Sequence, residues 1–97
     1  MTSTPERACV RVHIEGQVQG VGYRYWTQQQ ATILGLDGWV RNRRDDGVEA
    51  VLAGPREAVE QMIALCRVGP RSARVDMVKV LEEDAAPKPG FGVLPTA

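Results

Sequence analysis

The stretch Gly16-Gln17-Val18-Gln19-Gly20-Val21-Gly22 contains three glycines and separates two segments of different periodicity. Before it, Ala8 to Glu15 alternates with period two. Ala8, Val10, Val12 and Ile14 point one way, and Cys9, Arg11, His13 and Glu15 the other, as in a half-buried strand. His13 falls on the polar face and reads as a solvated histidine. After the glycines, Tyr23, Thr27, Ala31 and Leu34 recur at i, i+4, i+8 and i+11, one face of a helix of about 13 residues. That helix should begin near Val21–Gly22, and Gly35 supplies its C-cap. The chain must therefore pass from strand to helix through a loop whose backbone is unusually free.

The same punctuation organises the rest. Leu36 to Arg44 and Val48 to Ala53 read as two strands joined by Asp45-Asp46-Gly47, a hairpin signal. Gly54-Pro55 ends the second, with Pro55 placed in the first turn of a helix. Val59, Met62, Ile63 and Cys66 form a core stripe across that helix, which runs to Val68. Gly69-Pro70 precedes a strand over Arg74 to Glu83, whose apolar residues Val75, Met77, Val78, Val80 and Leu81 break strict alternation. A bulge near Met77–Val78 accounts for the break. After a loop from Ala85 to Gly90, Phe91 to Leu94 forms a short last strand. Strand, helix, strand, strand, helix, strand is the α+β, ferredoxin-like βαββαβ sandwich. The expected form is an antiparallel sheet with two helices on one face and a short extra C-terminal strand.

Met1 to Arg7 reads as a flexible polar leader lacking the apolar core of a signal peptide, and residues 8–97 as a single domain. Among the 97 residues, 12 Lys and Arg balance 12 Asp and Glu, and the formal net charge is zero. That balance removes the broad electrostatic case for nucleic acid or an anionic membrane. No apolar run approaches the roughly 20 residues of a membrane span. The two cysteines, Cys9 and Cys66, have no metal-ligand spacing and read as packing residues of a reduced, cytoplasmic protein.

Chemistry concentrates in two places. In the first, Gly20 and Gly22 allow successive amides to turn inward at a helix start, where N–H groups lack partners and the dipole is positive. Arg24, in the first helical turn, adds a planar two-pronged donor, so amides plus guanidinium suit a phosphoryl-sized anion. A tight connection with a solvent-exposed arginine accounts for the same residues. The spacing is neither the dinucleotide fingerprint nor a Walker A loop. In the second place, Gly38-Trp39-Val40-Arg41-Asn42, Asn42 ends a strand and can hold a water without carrying charge. On these residues alone, a local backbone role beside the hairpin is the commoner use of such an asparagine. Arg41, Arg43 and Arg44 read as solvated charges offset by Asp45 and Asp46. No carboxylate pair, serine–histidine pair or metal cluster stands out.

With Gly16 to Arg24 read as G-x-V-Q-G-V-x-[aromatic or Met]-R, and Gly38 to Asn42 as G-W-V-x-N followed by Val48 and Gly54, the chain closely resembles the acylphosphatase family across Ala8 to Val93. The resemblance implies hydrolysis of an acyl phosphate to a carboxylate and phosphate. It implies phosphate binding by Arg24 and the backbone amides of Gln19, Gly20, Val21, Gly22, Tyr23 and Arg24, and an attacking water positioned by Asn42. No metal, cofactor or covalent enzyme intermediate is implied. The expected partner is a small-molecule acyl phosphate, not nucleic acid or membrane, and the chain is expected to be monomeric.

Two departures from the family pattern stand out. Tyr23 occupies a position where Phe or Met is more usual, which adds a hydroxyl beside the loop. Asp46 occupies the usual hairpin glycine position, with Gly47 one residue later, leaving the turn geometry open. Two other functions fit a domain of this kind: a non-catalytic module like the one within a hydrogenase-maturation carbamoyltransferase, and a sensor that binds an anionic metabolite without turnover.

Overall fold

The computed structural model describes residues 6–97 as β1 (Arg7–Gln17), α1 (Tyr23–Ile33), β2 (Asp37–Asn42), β3 (Val48–Pro55), α2 (Arg56–Val68), β4 (Arg74–Glu82) and β5 (Phe91–Val93). The strands form one sheet in the order β4-β1-β3-β2-β5. β1 pairs antiparallel with β3 and β4, and β2 antiparallel with β3. β5 runs parallel to β2, so the sheet is mixed rather than wholly antiparallel. The link after β4 carries the chain to the opposite edge of the sheet, where β5 arrives in the direction of β2. Beyond β5, the amides of Leu94 and Ala97 continue along that edge to the carbonyls of Val40 and Asn42.

Register explains the core. Val12 lies opposite Ala50, which lies opposite Val40; Ile14 lies opposite Val48, which lies opposite Asn42. Directly opposed residues share a face, so Val12, Ile14, Val40, Val48 and Ala50 form one apolar surface. Tyr23 and Ala31 of α1 and Val59, Met62 and Cys66 of α2 close over it. Thr27 is buried within the same helical face, its hydroxyl satisfied by a 2.8 Å hydrogen bond to the Tyr23 carbonyl.

Several boundaries and burials differ from the sequence expectation. Arg7 already belongs to β1, paired with Pro55, and Glu6 accepts from Arg56 at 2.7 Å. The expected leader thus loses its last two residues to the fold, and residues 1–5 lie outside the described residues. Pro55 is the N-cap of α2 rather than part of its first turn, because it still closes β3 with extended ψ. The ladder irregularity falls at Asp76 rather than Met77–Val78, since Glu15 pairs with Met77 while Gly16 pairs with Val75. Met77 and Leu81 remain 50% and 51% exposed, and Val80 is exposed too. β4 is an edge strand whose apolar side chains outnumber the contacts its position offers.

The hairpin resolves the displaced glycine. Asp46 takes the left-handed conformation at φ 73°, a region that Asp tolerates better than most residues. Gly47 meets a different need. A Cβ there would lie 2.9 Å from the Ile14 carbonyl oxygen, so this residue lets the hairpin press against the end of β1.

Candidate active site

The segment between β1 and α1 is pinned at its start by Val18, which is buried in the core. Beyond Val18 the backbone turns through Gly20 at φ 73° and Gly22 at φ 79°. Added Cβ atoms would meet nothing within 4 Å at either glycine. Their requirement is therefore conformational, with an open surface in front of the loop. Gly22 is the N-cap of α1, with no side-chain cap and no acidic residue in the first turn. Among the described residues, the first amide of this region with a backbone acceptor is that of Trp26, which donates to the Gly22 carbonyl at 3.0 Å. The amides from Gln19 to Arg24 are thus left as donors at the positive end of the helix.

Arg24 is half-buried beside this loop. Its guanidinium carbon lies 6.0 Å from the centre of the Tyr25 ring. No carboxylate lies within 4 Å of it among the described residues, whereas Arg11, Arg41, Arg43, Arg56 and Arg74 each have one. Tyr23, the neighbouring residue, points inward rather than toward the loop. It is 1% exposed, and its hydroxyl donates 2.8 Å to the Cys66 carbonyl. Burial pushes that hydroxyl far above its ordinary range, so it acts as a neutral donor.

Asn42 ends β2 on the same sheet face as Val40, the face that α1 covers. In register it is two strands from Ile14 of β1, at the end of the sheet from which the loop departs. Its Oδ1 is buried without a protein hydrogen-bond donor, alone in this among side-chain polar atoms of the described residues. An unsatisfied buried acceptor costs about 1–3 kcal/mol, so a donor arriving from outside the protein has a ready partner. The Gln19 side chain ties the loop to the β2–β3 hairpin. Its Nε2 donates 2.7 Å to the Arg43 carbonyl and 2.8 Å to the Gly47 carbonyl. On the other flank, Ser72 donates its hydroxyl to the Val21 carbonyl at 2.7 Å. The sequence motif contained Gln19 only as a backbone amide, and Ser72 bore no signal, because both partners are distant in the chain.

The opposite face of the sheet carries a charge cluster that sequence reasoning missed. Glu49 is 2% exposed and accepts from Arg11 at 2.6 Å and from Arg41 at 2.8 Å, with the His13 ring at 3.1 Å. Burial alone would raise its carboxyl, yet the hydrogen bonds from Arg11, Arg41 and His13 hold it down at about 2. His13 is therefore not a solvated histidine. Arg41 is offset by Glu49 rather than by the hairpin aspartates, and Arg43 contacts both Asp45, at 3.2 Å, and Glu49, at 3.4 Å. The cluster engages Arg41 and Arg43, the residues on either side of Asn42, and does not include Arg24.

Cys66 is buried, and burial pushes its thiol up to about 11; burial also raises Cys9, with Glu83 and Asp84 adding to the effect. Neither favours the thiolate that nucleophilic chemistry needs. Among the described residues, no three His, Cys, Asp or Glu side chains gather as a metal site. Among the same residues, no helix is long and apolar enough to cross a membrane.

A family model described as Acylphosphatase matches residues 10–93. The chain is 52% identical over 92 residues to an acylphosphatase of Rhizorhabdus wittichii, covering 95% of this chain and 93% of the relative. Its fold superposes on the structure of an acylphosphatase from Coxiella burnetii with a TM-score of 0.86 and 32% identity, covering 91% and 93% of the two chains. It also superposes, with a TM-score of 0.87 and 23% identity, on part of full-length HypF in a phosphate- and nucleotide-bound form. That match covers 99% of this chain and 13% of the longer one, and is a likeness of fold.

Proposed function

The chain belongs to the acylphosphatase family, and from that membership we propose that Arg24 and the amides of Gln19, Gly20, Val21, Gly22, Tyr23 and Arg24 hold the phosphoryl group of an acyl phosphate, while Asn42 positions the water that attacks it. The chain is an acylphosphate phosphohydrolase. Water adds its oxygen to phosphorus, the bond from phosphorus to the acyl oxygen breaks, and a carboxylate and inorganic phosphate leave.

The observation that carries this assignment is the start of α1, where Gly22 caps without a side chain and no acid enters the first turn. An anion placed there gains several unpaired amide donors and the helix dipole at once. Arg24, with no carboxylate within 4 Å among the described residues, adds two parallel hydrogen bonds and a full charge. The three phosphoryl oxygens keep or spread negative charge in the transition state, so these donors act where charge develops.

Asn42 supports the other half of the reaction. Its unpartnered Oδ1 can accept from a water and orient that water's lone pair without adding a charge that would repel phosphate. The acyl carboxylate is a good leaving group, so orientation and charge stabilisation suffice without a strong protein base. The proton lost by the water passes to an oxygen of the bound phosphoryl group. No metal or cofactor enters this scheme. In this reading the enzyme works as a monomer in the cytoplasm, on a small-molecule acyl phosphate rather than on a nucleic-acid or membrane partner.

The test uses benzoyl phosphate and the protein treated exhaustively with EDTA. Loss of ultraviolet absorbance should proceed at the untreated rate, and inorganic phosphate should inhibit competitively. Absence of turnover, or activity that returns only with added metal, would overturn the assignment.

A further inference from the structure

The two halves of the site are carried by different pieces of the fold. The cradle belongs to the β1–α1 loop, whose other anchors lie away from the hairpin: Val18 in the core, Ser72 of the α2–β4 turn on the Val21 carbonyl, and Tyr23, where α1 begins, on the Cys66 carbonyl. Asn42 belongs to β2, at the entrance to the β2–β3 hairpin. Of the side-chain hydrogen bonds in the described residues, only those of Gln19 run from the loop to the hairpin.

Those two bonds are chemically specific. A primary amide has two N–H protons on one nitrogen, and here they face two carbonyl oxygens. The acceptors belong to Arg43 and Gly47, which also pair with each other, Arg43 N to Gly47 O at 2.8 Å. Gly47 N is held in turn by the Asp45 carboxylate at 3.0 Å. Gln19 therefore grips a closed, internally bonded turn, one residue beyond Asn42. A carboxylate in its place would set acceptor against acceptor, and a shorter side chain would not span both carbonyls.

We propose that the Gln19 side chain is a positioning residue for hydrolysis: by fastening the phosphate-binding loop to the hairpin, it sets the spacing between the bound phosphoryl group and the water on Asn42. The proposal rests on the roles assigned above to the loop and Asn42. It separates the two functions of Gln19. The backbone amide contributes to binding whatever the side chain, whereas the side chain contributes to the geometry of attack. Misplacement of a reactant by about 1 Å can cost on the order of 100-fold in rate. Loosening this tie therefore acts on kcat, while inorganic phosphate, which uses only the cradle, is bound as before.

The test is benzoyl phosphate hydrolysis and competitive inhibition by inorganic phosphate in Gln19→Met, which keeps length and removes both donors. Gln19→Asn, which keeps an amide but shortens its reach, serves if the Met variant does not fold. The folded variant should lose about 10- to 100-fold in kcat, with the phosphate inhibition constant changed less than about threefold. In an Asn42→Ala background, the same Gln19 substitution should reduce kcat less than about threefold further, since the group it positions is gone. A kcat near wild type, a parallel loss of phosphate binding, or a full multiplicative loss in the double variant would overturn the proposal. If Asn42→Ala alone keeps normal kcat, the underlying assignment of the water fails. If Asn42→Ala is inactive and Gln19→Met is normal, only the role of Gln19 fails.

Discussion

The Tyr23 hydroxyl donates a 2.8 Å hydrogen bond to the Cys66 carbonyl, joining the first turn of α1 to the last turn of α2. The tyrosine hydroxyl that departs from the usual family residue thus acts away from the β1–α1 loop, as a buried strut between the two helices. Tyr23→Phe should cost about 1–2 kcal/mol in denaturant unfolding, the scale of leaving a buried carbonyl short of a donor. Its kcat for benzoyl phosphate should stay within about twofold of wild type, since the ring and the loop backbone are unchanged. A large loss of kcat without loss of stability would place the hydroxyl in the chemistry instead.

Acid stability should report on Glu49. Its carboxyl is held at about 2 in the fold against 4.5 when unperturbed. A depressed value means that the unfolded chain binds the proton more readily. The stabilisation is therefore complete above about pH 4.5 and is lost as pH falls toward 2, amounting to about 3 kcal/mol. Urea unfolding of wild type should weaken through that window. Glu49→Gln should be less stable than wild type at pH 7, because Arg11 and Arg41 lose their buried counter-charge, and flatter between pH 4.5 and 2.5. Equal acid sensitivity in both proteins would show that other carboxylates control the transition.

The hairpin offers a pair of opposite outcomes. Gly47→Ala places a Cβ 2.9 Å from the Ile14 carbonyl oxygen, and should destabilise by about 1–3 kcal/mol, the usual range for forced overpacking. Asp46→Gly relieves a left-handed non-glycine residue and should change stability by less than about 1 kcal/mol. Thermal melts of the two variants distinguish them. Equal shifts would mean that contact with β1 does not hold the turn in place.

Local features of the chain were legible because local chemistry determines them. Tyr23, Thr27 and Ala31 repeat at helical spacing and are buried in α1, and Val12 and Ile14 alternate into the core. Gly20, Gly22 and Arg24 stand where a strand passes into a helix, so the loop could be located from residue order. What could not be read depends on partners far along the chain. Glu49 is as polar as any surface residue until Arg11 and Arg41 converge on it from neighbouring strands. Gln19 reaches carbonyls 24 and 28 residues away, and carbonyls carry no sequence signal. The parallel placement of β5 follows from where the loop after β4 lands, which periodicity does not encode. In β4 the broken alternation located a bulge only to within a residue or two, since the register with β1 that fixes it at Asp76 is set by a partner strand.

The central claim is that one residue holds the phosphoryl group and another holds the water. Arg24→Ala and Asn42→Ala, each confirmed folded by circular dichroism, separate these roles in one measurement: kcat for benzoyl phosphate alongside the inhibition constant for inorganic phosphate. Arg24→Ala should weaken phosphate inhibition and lower kcat together, with a loss of several kcal/mol, on the order of 1000-fold, in kcat/KM. Arg24→Lys should restore little of it, because the charge returns without the fork. Asn42→Ala should leave phosphate inhibition within about threefold of wild type while kcat falls roughly 100-fold or more. A folded Asn42→Ala with near-normal kcat, or one that loses phosphate binding as Arg24→Ala does, would contradict the account.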